Sequence, residues 1–215
     1  MKKSYKLYYA IVGVAAILGI VFIADKIKNK SKSKGKGFRK NLAKIAEKEY
    51  ADWNFGNTKE TSISMYQRLA DYWKSVGWGT SSWTPSSVPW SAAFISFVLK
   101  KSGAGNDFKS SSSHSKYIRD AVINRKSNNS NPFKAYKINE KKVEVGDLVC
   151  YARQSGVGYD TTSSYKSHCD IVVSADNNEA QVIGGNVGHS VTKTKVNLKN
   201  GYVNDSKWFT IIKTT

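Results

Sequence analysis

The hydrophobic period changes partway along this chain, and that change limits what it can fold into. Through the first half, apolar side chains recur at three- and four-residue spacing. Residues 39–53 place Leu42, Ile45, Ala46, Tyr50 and Trp53 on one helical face, and residues 62–77 do the same with Met65, Leu69, Tyr72, Trp73 and Val76. Pro89 opens a third helical run, apolar on nearly every side, that ends at Gly103. Residues 110–126 read as a shorter helix behind a serine cap, broken by the Asn/Pro run at 128–132. From residue 143 the period becomes two. Residues 143–153, 168–176, a run ending at Val187, residues 190–198 and residues 208–213 read as five strands. Helices followed by an antiparallel meander predict an α+β layout, with the helices packed on one face of the sheet.

The N-terminus has a different character. Residues 7–24 carry no charge, and 18 residues at ~1.5 Å each are just long enough to cross a hydrocarbon core. Tyr5, Tyr8 and Tyr9 stand at one end, where interfacial aromatics belong. Cleavage after Ala24 would put Phe22 at the −3 position, so the segment reads as an uncleaved transmembrane helix. This predicts a basic tail at 1–6, a span at 7–24, a Lys/Ser/Gly linker at 25–40 and a folded domain at 41–215. The localisation that follows is single-pass, in a bacterial inner membrane or a virion membrane. The net charge is +18, and residues 1–40 hold eleven Lys/Arg against the single acid Asp25. Basicity beside an apolar run points to anionic lipid headgroups, with nucleic acid as the second reading. The positive-inside rule places the domain on the cytoplasmic side, which opposes an action on the cell wall.

Ser91 lies in the first turn of the third helix. Free backbone N–H groups and the positive helix end would stabilise negative charge developing there. The plainer reading is a small polar residue near a helix start. His168 leads a strand, so His168 and Asp170 share a face while Cys169 points away. Cys150 and Cys169 form no metal pattern and read as reduced core residues, with a disulfide between neighbouring strands as the alternative. A histidine base needs a third group to orient it. Asn186, after Gly184-Gly185, and Asp170 are the two candidates. His114 reads as a cap or surface residue and His189 as a loop residue. Arg153 ends a strand, where it is either solvated or meets a substrate carboxylate. Trp78, Trp83 and Tyr159 stand in polar loops, where rings could stack on a sugar or peptide.

The order of these features resembles the papain-like cell-wall hydrolases of the NlpC and CHAP type. The matching runs are Trp90-Ser91-Ala92-Ala93-Phe94-Ile95, Val145-Gly146-Asp147-Leu148 and Ser167-His168-Cys169-Asp170-Ile171-Val172. A closer similarity, over residues 42–213, is to the family known as domain of unknown function 2272, carried by runs at Pro89, Ser112, Gly146, His168 and Ile183. The resemblance implies a papain-like domain with Ser91 as nucleophile, His168 as base and Asn186 or Asp170 as orienter. It also implies a substrate side formed by Trp90, His114 and Gly185, a peptidoglycan stem peptide as substrate, and no metal or organic cofactor. One departure matters. The peptidases use a cysteine that ionises before substrate arrives, whereas a serine needs its base during attack. The alternative is therefore a cleft that binds without cutting, in a tethered structural or binding module such as a virion membrane protein.

Overall fold

The structure, a computed structural model, describes residues 35–79 and 88–214. The chain divides into two compact units, Met1–Gly37 and Phe38–Thr215. Of the first, only residues 35–37 are described, as helix. The tail at 1–6, the expected span at 7–24 and most of the basic linker lie outside the described residues. Among the described residues no helix is long and apolar enough to cross a membrane. The structure thus gives no support to the transmembrane helix expected at 7–24 or to the single-pass placement built on it, and neither is carried further.

In the second unit α1 runs through residues 38–52. Two 3₁₀ turns, Asn54–Gly56 and Ile63–Met65, lead into α2 (Tyr66–Ser75). α3 is Ser91–Ser102 and α4 is His114–Lys126. The strands are β1 (Phe133–Lys137), β2 (Leu148–Ala152), β3 (Ser167–Ala175), β4 (Glu179–Val187), β5 (Ser190–Lys199), β6 (Tyr202–Val203) and β7 (Trp208–Thr214). They form one antiparallel sheet in the order β1-β7-β2-β3-β4-β5-β6. The five expected strands appear as β2 to β5 and β7. β1 and β6 are additions.

α3 is the central helix. Every residue from Ser91 to Leu99 is buried, because α2 covers one side and β3 and β4 the other. It stops at Gly103, whose φ of 95° is the left-handed conformation that ends a helix without a Cβ penalty. α4 lies on β1 and β3. Both faces of the sheet carry buried apolar side chains. Leu148, Cys150, Cys169, Ile171 and Ile183 join the helices in one core, while Val149, Val172, Val182, Val196 and Ile211 form a second.

Two features fix β2 and β3. Cys150 and Cys169 stand directly opposite each other with Cα atoms 4.1 Å apart, a spacing typical of non-hydrogen-bonded antiparallel pairs. They are joined as a disulfide, not reduced as expected. At the entrance to β2, Asp147 is fully buried. It accepts from Arg39 Nη2 at 2.9 Å, from Lys213 Nζ at 2.6 Å and from the Glu144 N–H at 2.9 Å. Gly146 before it has φ +87°, and a Cβ there would come within 2.7 Å of the Arg39 Cβ.

Burial outweighs Lys213 and Arg39 and holds the Asp147 carboxyl up to about 6. A raised folded-state pKa stabilises the fold below the ordinary carboxylate range, and that contribution is lost as pH rises through 6. In urea denaturation, the stability of wild type relative to Asp147→Asn should thus fall between pH 4 and pH 7, by ~2 kcal/mol for a folded pKa about two units above the unfolded one. A difference that grows with pH would show that the ion pairs outweigh burial. Replacing both cysteines by alanine should cost ~3 kcal/mol, the loop-closure value for a short disulfide ring. Thiol titration of the native chain should find neither cysteine free.

Candidate functional site

Ser91 and His114 are each the first residue of a helix, and the two helix starts converge. Ser91 Oγ lies 2.7 Å from His114 Nε2, and both residues are about 5% exposed. The first intrahelical bond of α3 runs from the Phe94 N–H to the Trp90 carbonyl at 2.9 Å. The N–H groups of Ser91, Ala92 and Ala93 therefore have no acceptor within the helix. On its far side His114 Nδ1 is hydrogen-bonded to the Tyr117 hydroxyl, one helical turn along. Burial, His168 and Arg153 together hold the His114 imidazole well below its ordinary range. Burial also pushes the Tyr117 phenol up, with the Asp170 charge adding to it. The site at neutral pH is thus a neutral imidazole between a serine hydroxyl and a neutral phenol.

His168 stands beside this pair, not in it. Its ring centroid is 5.0 Å from that of His114. Its Nε2 pairs with Asp170 Oδ1 at 2.9 Å, and both side chains are buried. Its Nδ1 is buried with no hydrogen-bond partner among the described residues. Of the two expected orienters, the structure places Asp170 on His168. Asn186 stands elsewhere. With its amide turned to satisfy both neighbours, it accepts from the Trp90 N–H at 3.1 Å and donates to Glu60 Oε2 at 3.3 Å. Asn186 is held in the left-handed conformation at φ 57°, at the bulge between β4 and β5.

Two of the residues expected on the substrate side are packing residues. Trp90 is fully buried, stacked on Trp53 at 5.0 Å, with its indole N–H donating to Glu60 Oε2 at 2.6 Å. Gly185 lies under α3, where a Cβ would fall 2.5 Å from the Phe94 ring. His114, read from the sequence as a cap or surface residue, is the one that meets Ser91. His189 is a loop residue as expected, and its Nδ1 pairs with Glu60 Oε1 at 2.9 Å.

Glu60 is the residue that sequence reasoning missed. It is 5% exposed and joins Trp90, Asn186 and His189, fixing the residue that precedes Ser91. No local pattern marks it, since its partners lie 30 and more than 120 residues away.

Ser91 and His114 line a cleft of about 680 Å³ with Ser112, Arg153, Lys166 and Ser167 among its other walls. Trp83 and the loop around it, the source of an expected stacking ring, lie outside the described residues. Trp78 stacks on Trp73 at 4.6 Å, and Tyr159 donates to the Ala135 carbonyl. Among the described residues, no group of three His, Cys, Asp or Glu side chains is placed to hold a metal ion.

The space for the His168–Asp170 pair comes from a glycine. A Cβ at Gly184 would fall 1.8 Å from Asp170 Oδ1. Gly184→Ala should therefore displace Asp170 and cost ~1–3 kcal/mol in thermal or urea unfolding, as overpacking does. The histidine resonances should show His168 perturbed far more than His189.

No curated protein and no solved structure matches the chain, so the papain-like assignment gains no support from comparison. A family model does match, over residues 53–208, which spans Glu60, Ser91, His114, His168 and Asp170. The chain belongs to the family described as an uncharacterized protein conserved in bacteria, DUF2272.

Proposed function

We propose that this domain hydrolyses an amide bond with Ser91 as nucleophile, and that its substrate is a cell-wall peptide. The observation that carries the reading is the 2.7 Å contact between Ser91 Oγ and His114 Nε2 at a helix N-terminus that opens into a cleft. His114 takes the role that the sequence suggested for His168. With its Nδ1 proton donated to the Tyr117 oxygen, its Nε2 lone pair faces the serine proton.

As Ser91 Oγ adds to the carbonyl carbon, its proton passes to His114 Nε2 and the carbonyl pair moves to oxygen. The N–H groups of the first turn of α3, which have no acceptor within the helix, are the donors for that oxyanion. The C–N bond then breaks, and the amine leaves with the proton from Nε2. Water repeats the sequence on the acyl-serine, giving its proton to His114 and releasing the acid.

His168 supports a second version of the same chemistry. Its free buried Nδ1, backed by Asp170 on Nε2, resembles a carboxylate-oriented base.

The test uses purified peptidoglycan with the full chain, products being read by mass spectrometry. Ser91→Ala should abolish new amine and carboxyl ends. His114→Gln should lower the rate ~10³-fold or more, and His168→Gln much less; the reverse order would transfer the base role to His168. Because the His114 imidazole is held below its ordinary range, the acid limb of the rate profile should fall well below pH 6.5. No products from folded protein would sink the hydrolase reading and leave a cleft that binds.

A further inference from the structure

The walls of the cleft carry charge of one sign. Arg153 follows the end of β2, and Lys166 precedes the start of β3. The two backbones pair there, Arg153 N–H to the Lys166 carbonyl at 2.8 Å. This pairing brings a guanidinium and an ammonium to the same mouth. Neither side chain meets a carboxylate among the described residues, although acids elsewhere in the domain are mostly paired. Among the described residues no Asp or Glu lines the cleft. Arg153 is near enough to His114 to depress its protonation, so its field reaches the Ser91–His114 pair.

A second observation is independent of the charges. Ser167 lines the same cleft and is 9% exposed, yet its hydroxyl has no hydrogen-bond partner among the described residues. Buried hydroxyls are normally satisfied. An unsatisfied hydroxyl in a cleft wall beside two unpaired cations fits a ligand that brings an acceptor.

We propose that Arg153, Lys166 and the Ser167 hydroxyl form a carboxylate-recognition subsite beside Ser91, so that the ligand of this cleft is an acidic peptide. The assignment rests on the hydrolase reading only for which bond lies next to the carboxylate; the binding itself does not need turnover. The planar fork of Arg153 matches a carboxylate through two parallel N–H donors, Lys166 adds a point charge, and Ser167 donates its hydroxyl proton.

Binding is measured by calorimetry on the full chain carrying Ser91→Ala, so that hydrolysis cannot enter the result. The probes are N-acetyl-alanyl-alanine with a free C-terminus, N-acetyl-glutamic acid α-amide with only a side-chain carboxylate, and the fully amidated form of each. At least one acid should bind ~10-fold or more tightly than its amide, and which one does so distinguishes a terminal from a side-chain carboxylate. Arg153→Gln should abolish that preference, Lys166→Gln should weaken it, and Ser167→Ala should reduce it a few-fold, with affinity falling as salt rises. Acids and amides that bind alike, or a preference unchanged in Arg153→Gln, would overturn the subsite. Inorganic phosphate is the competing anion. If it binds more tightly than either acid, the carboxylate assignment is wrong. Peptidoglycan hydrolysis by the wild type with no acid preference would leave the catalytic reading standing and sink this one alone.

Discussion

The approach of α3 to β4 is the contact on which the rest of the domain depends. A Cβ at Gly185 would overlap the Phe94 ring, so only glycine lets the helix sit that close. That seat places the first turn of α3, and Ser91 with it, level with the first turn of α4. Glu60 then holds the entry to α3 through the Trp90 indole, and Asn186 holds it through the Trp90 N–H. A buried carboxylate is costly unless its acceptors are filled, and here an indole, an amide and an imidazole fill them. The site is thus positioned by contacts that lie outside it.

The electrostatics follow from the same burial. His114 is enclosed at a helix start, with another imidazole and a guanidinium nearby, and each disfavours its charged form. A neutral imidazole can accept a serine proton at neutral pH. Its second partner, Tyr117, is a phenol and not a carboxylate, so less stabilises the imidazolium once it forms. The carboxylate of the region is on His168 instead. The domain therefore splits between two histidines what a single base usually combines: contact with the nucleophile and support from an acid.

Much of this was legible in the sequence because it is periodic. β5 alternates over part of its length, β2 and β3 are short apolar runs, α2 carries apolar residues at helical spacing and α3 is apolar on nearly every side, so these elements stand out from pattern and run length. β1 was not visible. It is five residues long, follows an Asn/Pro break, and gains its pairing only from β7 near the end of the chain. The helix starts moved as well: α3 begins at Ser91 and not at Pro89. The site was legible in part. Strand alternation brings His168 and Asp170 together, since they are two residues apart on one strand. The Ser91–His114 contact is not periodic. It depends on how two helices pack 23 residues apart in sequence, and no spacing rule encodes that.

The two glycines of β4 show how tightly sequence and site are joined. Gly185 admits α3 and thereby sets Ser91; its neighbour Gly184 makes room for Asp170 and thereby sets His168. One dipeptide positions both halves of the candidate machinery, on opposite faces of a single strand. Each glycine is required by a different overlap, at Phe94 or at Asp170. A methyl group at either position would disturb one half while leaving the strand's pairing with β3 and β5 in place, because glycine and alanine donate and accept the same ladder bonds. The two halves of the site therefore depend on different overlaps, which is what allows the roles of the two histidines to be measured apart.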